Sequence, residues 1–172
     1  MPKKSNKKSI DEELSVRDKI VKEQNIDALF QLSDNGDFTI ALMEILNNQC
    51  DYDPSTLNHV QRVLFLCIHL ENAGQADSIL GFLQEDYPDY TEEAVNALNE
   101  IGANKSAEII KHAIELLPKD GTWFYETADK NSEELMNKLD SDFSNYPDGR
   151  MRDLYRKYAE KYRYDLFVGK ME

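Results

Sequence analysis

Apolar positions recur along this chain at three- and four-residue intervals, and strand-like alternation is hard to find. The clearest stretch runs from Asp86 to Pro118. Pro88 and Asp89 start a turn, Thr91 stands where an N-cap is expected, and Glu92 and Glu93 fill the first turn of a helix. Ala94, Val95, Leu98 and Ile101 form its apolar face, and Gly102 sits where a helix stop wants a residue that tolerates positive φ. A second helix follows, with Ile109, Ile110, Ala113, Ile114 and Leu117 inward and Pro118 as its stop. Such a helical hairpin cannot bury its stripes alone, so the rest of the chain must pack on it.

The remaining pattern predicts more helices. Ile10, Leu14, Arg17 and Val21 share one face of a first helix, and Ile26 to Leu32 forms a second, short one. Ser33 to Asp37 reads as a turn, Phe38 to Leu46 as a third helix, and Asn47 to Pro54 as turn-like. Asp53-Pro54-Ser55-Thr56 then opens a helix that is apolar nearly all round between Val63 and Leu70, which marks it as the central one. Asn72-Ala73-Gly74 is expected to end or kink it, with a short helix from Ala76 to Gln84 beyond. After the hairpin, Lys119-Asp120-Gly121 is a turn and Trp123, Phe124 and Tyr125 an aromatic cluster suited to capping the core. A helix from about Asn131 to Leu139, a loop over 140–149 and a last helix from Met151 to Tyr164 complete the chain. Tyr155, Tyr158 and Tyr162 share one face of that helix, as a packing stripe would. The expected architecture is an all-α, single-domain multi-helix bundle built on antiparallel helical hairpins. It spans residues 10–172 behind a disordered basic tail over 1–9 that holds Lys3, Lys4, Lys7 and Lys8.

Composition narrows the function classes. The formal net charge of −13 opposes direct attraction to nucleic acid or an anionic membrane and favours basic partners or high solubility. No run approaches the length of a membrane span, and the N-terminal lysines precede no apolar signal segment. Cys50 and Cys67 are too few for a disulfide framework, which fits a reducing cytoplasm.

The charge is segregated. Between Glu23 and Asn104 fifteen acids face one base, Arg62, while the other bases concentrate over Lys3–Lys22 and Arg150–Lys170. Duplex DNA carries about one phosphate charge per 1.7 Å of axis. A single helix with carboxylates one turn apart is sparser, at about 5.4 Å. Several adjacent helices and loops could together present comparable rows. The candidate phosphate surrogates are Asp34, Asp37, Asp51, Asp53, Asp77, Glu85, Asp86, Asp89, Glu92 and Glu93. On charge alone, an ordinary acidic, solubilising face is the simpler account.

From about Val63 to Pro118, and more loosely to the end, the chain resembles the bacterial DNA-mimic protein family, which shares a helical domain long of unknown function. The residues that carry the likeness are Glu71-Asn72-Ala73-Gly74-Gln75, Tyr90 to Glu93, Ala97-Leu98-Asn99-Glu100-Ile101-Gly102-Ala103, and Ala107 to Pro118. The family typically has paired glycines, an aromatic and Gln where Ala73, Gly74 and Gln75 stand here. The resemblance implies an all-α, non-catalytic protein without cofactor, often a homodimer. In the family's characterised member an acidic surface imitates duplex DNA and binds a transcription factor. The implied partner is a basic DNA-binding protein, and the implied role is its inhibition.

Other chemistry finds little purchase. Cys67 and His69 stand two apart and diverge on a helix, so with Cys50 and His59 they make a poor zinc set. Asp51 and Asp53 lack the glycine and closing Glu of a calcium loop. Adjacent Glu92 and Glu93 diverge and need no catalytic reading. No metal site is expected, and no phosphate loop or nucleophile elbow is present. The alternatives are an immunity-type inhibitor of a basic toxin and a small helical enzyme or ligand-binding domain, which would need a deep pocket with converging polar groups.

Overall fold

The computed structural model describes residues 10–167, with the backbone alone for 10–15. The lysine-rich tail expected over 1–9 lies outside the described residues, as does Lys170 of the C-terminal basic cluster. Within them the chain is helical and has no strand: α1 (Ile10–Glu23), α2 (Ile26–Gln31), α3 (Asn35–Cys50), α4 (His59–Ala76), α5 (Thr91–Glu100), α6 (Asn104–Leu116), α7 (Phe124–Thr127), α8 (Lys130–Ser144), α9 (Met151–Lys161) and α10 (Arg163–Leu166). No helix among the described residues is long and apolar enough to cross a membrane.

Several helices start on residues that can cap them. Asn25, Asp34, Asn58 and Asp129 each accept a hydrogen bond from the backbone N–H three residues on, which satisfies one orphan donor of the first turn. Asn58 and Gln61 form a reciprocal capping box. That box starts α4 at His59, after a separate 3-10 turn over Pro54–Thr56, and not at Pro54 as the proline suggested. Asp34 likewise converts most of the expected 33–37 turn into the start of α3, which runs on to Cys50 because Ile45, Leu46, Asn47 and Cys50 are all buried. Thr91 is not an N-cap: it is already helical, and Tyr90 holds the capping position without a side-chain bond.

Gly74 does not end α4, which continues to Ala76. A Cβ at Gly74 would lie 3.2 Å from both Ile79 and the Phe143 ring, so the glycine serves a close approach of α8. The same contact carries α8 through the expected 140–149 loop as far as Ser144, since Phe143 must be buried there. Beyond Asp77 the chain turns through Ile79 and Leu80 into a wide π-helical turn over Gly81–Asp86, then a 3-10 turn over Pro88–Tyr90. The last expected helix is divided at Tyr162 into α9 and α10.

Packing is centred on α4. Val63, Leu64, Phe65, Leu66, Cys67 and Ile68 are consecutive and all buried, because α3, α5, α8 and α9 cover the helix from several sides. The α5–α6 hairpin packs against α4 through α5 and against α8 through α6. Tyr155 and Tyr158 of the aromatic stripe are buried, and Tyr155 donates to the Cys67 carbonyl at 3.0 Å. Phe124, the first residue of α7, is buried in the core and held by Gln84, whose side chain accepts from Phe124 N at 2.9 Å and donates to Thr122 O at 3.0 Å.

Gly102 has φ +91°, and no atom lies within 4 Å of where a Cβ would sit, so only backbone conformation demands glycine there. Replacing Gly102 by alanine is expected to cost about 1 kcal/mol in urea unfolding, and by asparagine less, since asparagine tolerates positive φ. An unchanged midpoint for the alanine variant would contradict this.

Candidate acidic interaction surface

The ten candidate acids divide by what surrounds them. Asp34 caps α3 with a guanidinium nitrogen of Arg152 close by at Gly36, and Asp37 pairs with Arg17 at 3.5 Å. Glu93, in the first turn of α5, pairs with Arg62 at 2.6 Å, so the one base of the acidic window is engaged there. Asp51, Asp53, Asp77, Glu85, Asp86, Asp89 and Glu92 are exposed and form no ion pair among the described residues.

Four of these acids fall within eight residues, Glu85 to Glu92, where π, 3-10 and α turns follow one another. Asp51 and Asp53 are distant in sequence but are brought alongside by an aromatic stack. His69 of α4 packs on Phe65 (ring centroids 4.1 Å), on Tyr87 (5.4 Å) and edge-on against Tyr52 (6.2 Å). Tyr52 belongs to the turn after α3, and Tyr87 to the turn after Asp86. The ring contacts therefore bring the Asp51–Asp53 turn and the Glu85–Asp89 segment together beside His69. Asp34 and Asp37 stand at the opposite end of α3, about 24 Å along its axis.

Electrostatics within this flank are one-sided. Burial pushes the His69 imidazole down to about 4 despite the nearby Asp86 carboxylate, so at neutral pH it adds no positive charge. Its Nε2 lies 2.9 Å from Asn47 Oδ1, which orients the neutral ring. Burial, then Asp86, pushes the Tyr87 hydroxyl up to about 12. Hydrogen bonds from Ser55 hold the Asp53 carboxyl below its ordinary value. A separate acidic group gathers around Tyr125, where burial first and then Asp140, Glu133 and Asp77 raise the hydroxyl. Asp140 accepts from Ile79 N at 2.9 Å.

Two described bases of the C-terminal cluster are engaged on other elements. Arg163 pairs with Asp27 at 2.7 Å, and Arg156 reaches Glu160 and the carbonyls that end α2. Both meet the α2 side of the bundle.

The family model of DMP19-like proteins matches residues 55–162, more than half of the chain. The chain belongs to the DMP19-like protein family. These are the DNA-mimic proteins that the motifs around Gly102 resemble. No curated protein and no solved structure matches the chain.

The DMP19-like region contains Asp77, Glu85, Asp86, Asp89, Glu92 and Glu93, whereas Asp34, Asp37, Asp51 and Asp53 lie before it. The match thus takes in the central helix, the hairpin and α9, and leaves α1 to α3 outside it. Sequence reasoning missed Tyr52, which is 59% exposed amid the acids and has φ +63°. It also missed that His69 and Tyr87 organise the flank. The run Asp51-Tyr52-Asp53 was the available signal: an aromatic between acids in a turn. The residues weighed for zinc are dispersed: Cys67 is buried in α4, His69 meets Asn47, and His59 meets Glu100 at 2.9 Å. Among the described residues no three His, Cys, Asp or Glu side chains are grouped to hold a metal.

Proposed function

We propose that this protein is a non-catalytic DNA mimic that binds and inhibits a basic DNA-binding protein, such as a transcription factor, through the acidic flank at His69. The observation that carries the reading is the set of exposed carboxylates outside any ion pair among the described residues: Asp51, Asp53, Glu85, Asp86 and Asp89 on the turns that meet at His69, and Glu92 at the start of α5. Family membership supports the same role. Carboxylates in this arrangement act as phosphate surrogates, drawing the positive groove of the partner by complementarity of potential. The exposed Tyr52 ring offers a face on which an arginine guanidinium can stack while neighbouring acids pair with it. Asp77 joins the α8 acids on a second acidic area, and Asp34, Asp37 and Glu93, already paired or capped, contribute less.

The test is capture from a cell lysate on immobilised protein at increasing salt, followed by competition with duplex DNA. The expected partner binds duplex DNA, elutes at high salt and is displaced by DNA. The double variant Asp86→Lys/Asp89→Lys should weaken retention on the order of tenfold at low salt, while Asp34→Lys should change it little. Retention of no DNA-binding protein at low salt, or retention that neither duplex DNA nor the double variant reduces, would sink the proposal. A captured basic nuclease in place of a transcription factor would point to the immunity-type inhibitor.

A further inference from the structure

The chain has five methionines, and three of them, Met43, Met136 and Met151, lie among the described residues. Met136 and Met151 are sealed in the core, 1% and 2% exposed. Met43, on α3, is only partly buried and packs against the core at its edge.

The Met43 sulfur has a partner on the next helix. Asn72 of α4, an exposed residue, donates from Nδ2 to Met43 Sδ at 3.1 Å. A thioether sulfur is a weak acceptor with no hydrogen to give, so the amide meets it with an N–H. The contact joins α3 to α4 one turn along from the Asn47–His69 pair.

A thioether carries two lone pairs, and here they differ. The Asn72 N–H takes one, and no second donor to this sulfur occurs among the described residues. Oxidation by a hydroperoxide starts when a lone pair attacks the outer peroxide oxygen. The S–O bond forms, the O–O bond breaks, and sulfur gives up two electrons. With hydrogen peroxide the departing hydroxide takes the proton of the transferred oxygen and leaves as water. An oxygen approaching along the lone pair that Asn72 covers must first displace the amide, whereas the other lone pair is open. The two lone pairs lead to the two sulfoxide epimers, so attack through one of them gives one epimer.

We propose that Met43 is a peroxide-reactive modification site, oxidised reversibly to the sulfoxide, and that Asn72 is the positioning residue that directs oxygen to one face of its sulfur. The oxidant is a small hydroperoxide. The methionine sulfoxide reductase class that matches the epimer formed restores the thioether. A polar sulfoxide at the edge of the core is far less costly than one at Met136 or Met151, where its oxygen would be cut off from water. The inference does not depend on the DNA-mimic reading.

The experiment exposes the full folded chain to hydrogen peroxide, quenches and digests it, and follows the sulfoxide at each methionine by mass spectrometry. Met43 should react on the order of tenfold faster than Met136 and Met151. The oxidised Met43 peptide is then divided between two reductases, each specific for one epimer. One enzyme should restore several-fold more thioether than the other. The same peptide oxidised after digestion, when no fold remains, should be repaired equally by both. In Asn72→Ala the bias should collapse towards that unfolded reference. Asn72 is exposed on α4 and alanine favours a helix, so this variant should fold. Met43 reacting no faster than the two core methionines, equal epimers from the folded wild type, or a bias that Asn72→Ala leaves unchanged overturns the proposal.

Discussion

Replacing Asp148 by alanine is expected to destabilise the protein by about 3 kcal/mol, one of the two largest losses among its polar side chains. The first N–H groups of a helix have no partner within it, and α6 begins after Ala103, which brings no capping side chain. Asp148 takes over from a loop 42 residues away, with Oδ1 accepting from Lys105 N and Oδ2 from both Ser106 N and Ser106 Oγ, the last at 2.8 Å. Its negative charge also lies at the positive end of α6. Ser106 is 1% exposed, so removal of Asp148 strands a buried hydroxyl as well as two amides. A lost cap costs about 1–2 kcal/mol and a stranded buried donor about 1–3, with some overlap between them. Asp148→Asn keeps an acceptor but no charge and should lose about half as much. Urea unfolding with an unchanged slope is the measurement. A loss under about 1 kcal/mol for alanine would mean that water replaces the cap.

Arg156→Ala should cost a similar amount, about 3 kcal/mol, through a different end of a helix. The Arg156 fork donates to Phe30 O at 2.7 Å and to Leu32 O at 2.9 Å, carbonyls at the C-terminal end of α2 that the helix cannot satisfy. Its guanidinium carbon lies 4.5 Å from the Phe38 ring centre, and Phe38 is fully buried. Truncation therefore removes two charge-assisted bonds, a cation–π contact and the packing of the stem. Arg156→Lys is the sharper test. An ammonium keeps the charge but cannot span two carbonyls while lying flat on a ring, so about 2 kcal/mol should still be lost. Glu160→Gln, which affects only the exposed partner of Arg156, should change stability by less than about 1 kcal/mol. If lysine restores full stability, the fork contributes only charge.

Both predictions concern bonds that no sequence pattern announces. What was legible along the chain was local. The α5–α6 hairpin, its positive-φ Gly102 and the apolar run of α4 follow from spacing that repeats within one or two turns. Gly74 shows where local reading misleads. A glycine near a polar residue looks like a stop, yet here it makes room for Phe143, a residue of another helix. Asp34 reads as a turn former and is instead a cap, because both roles use the same short side chain to accept a backbone N–H.

The candidate surface divides the same way. Its acidity and the scarcity of bases between Glu23 and Asn104 are properties of the sequence, visible without any fold. Which acids stay unpaired is not. Arg62 meets Glu93 across 31 residues and Arg163 meets Asp27 across 136, while the Tyr52–His69–Tyr87 stack draws two acidic turns together. Sequence by itself determined the helices, their apolar faces and the sign of the protein's field, since each depends on neighbours within a turn or on simple sums of charge. Only the tertiary structure decided which carboxylates are neutralised, which helix end borrows its cap from a distant loop, and which acid of α4 meets a tyrosine hydroxyl of α9. Those are contacts between elements, and packing of the core around α4 sets which elements meet.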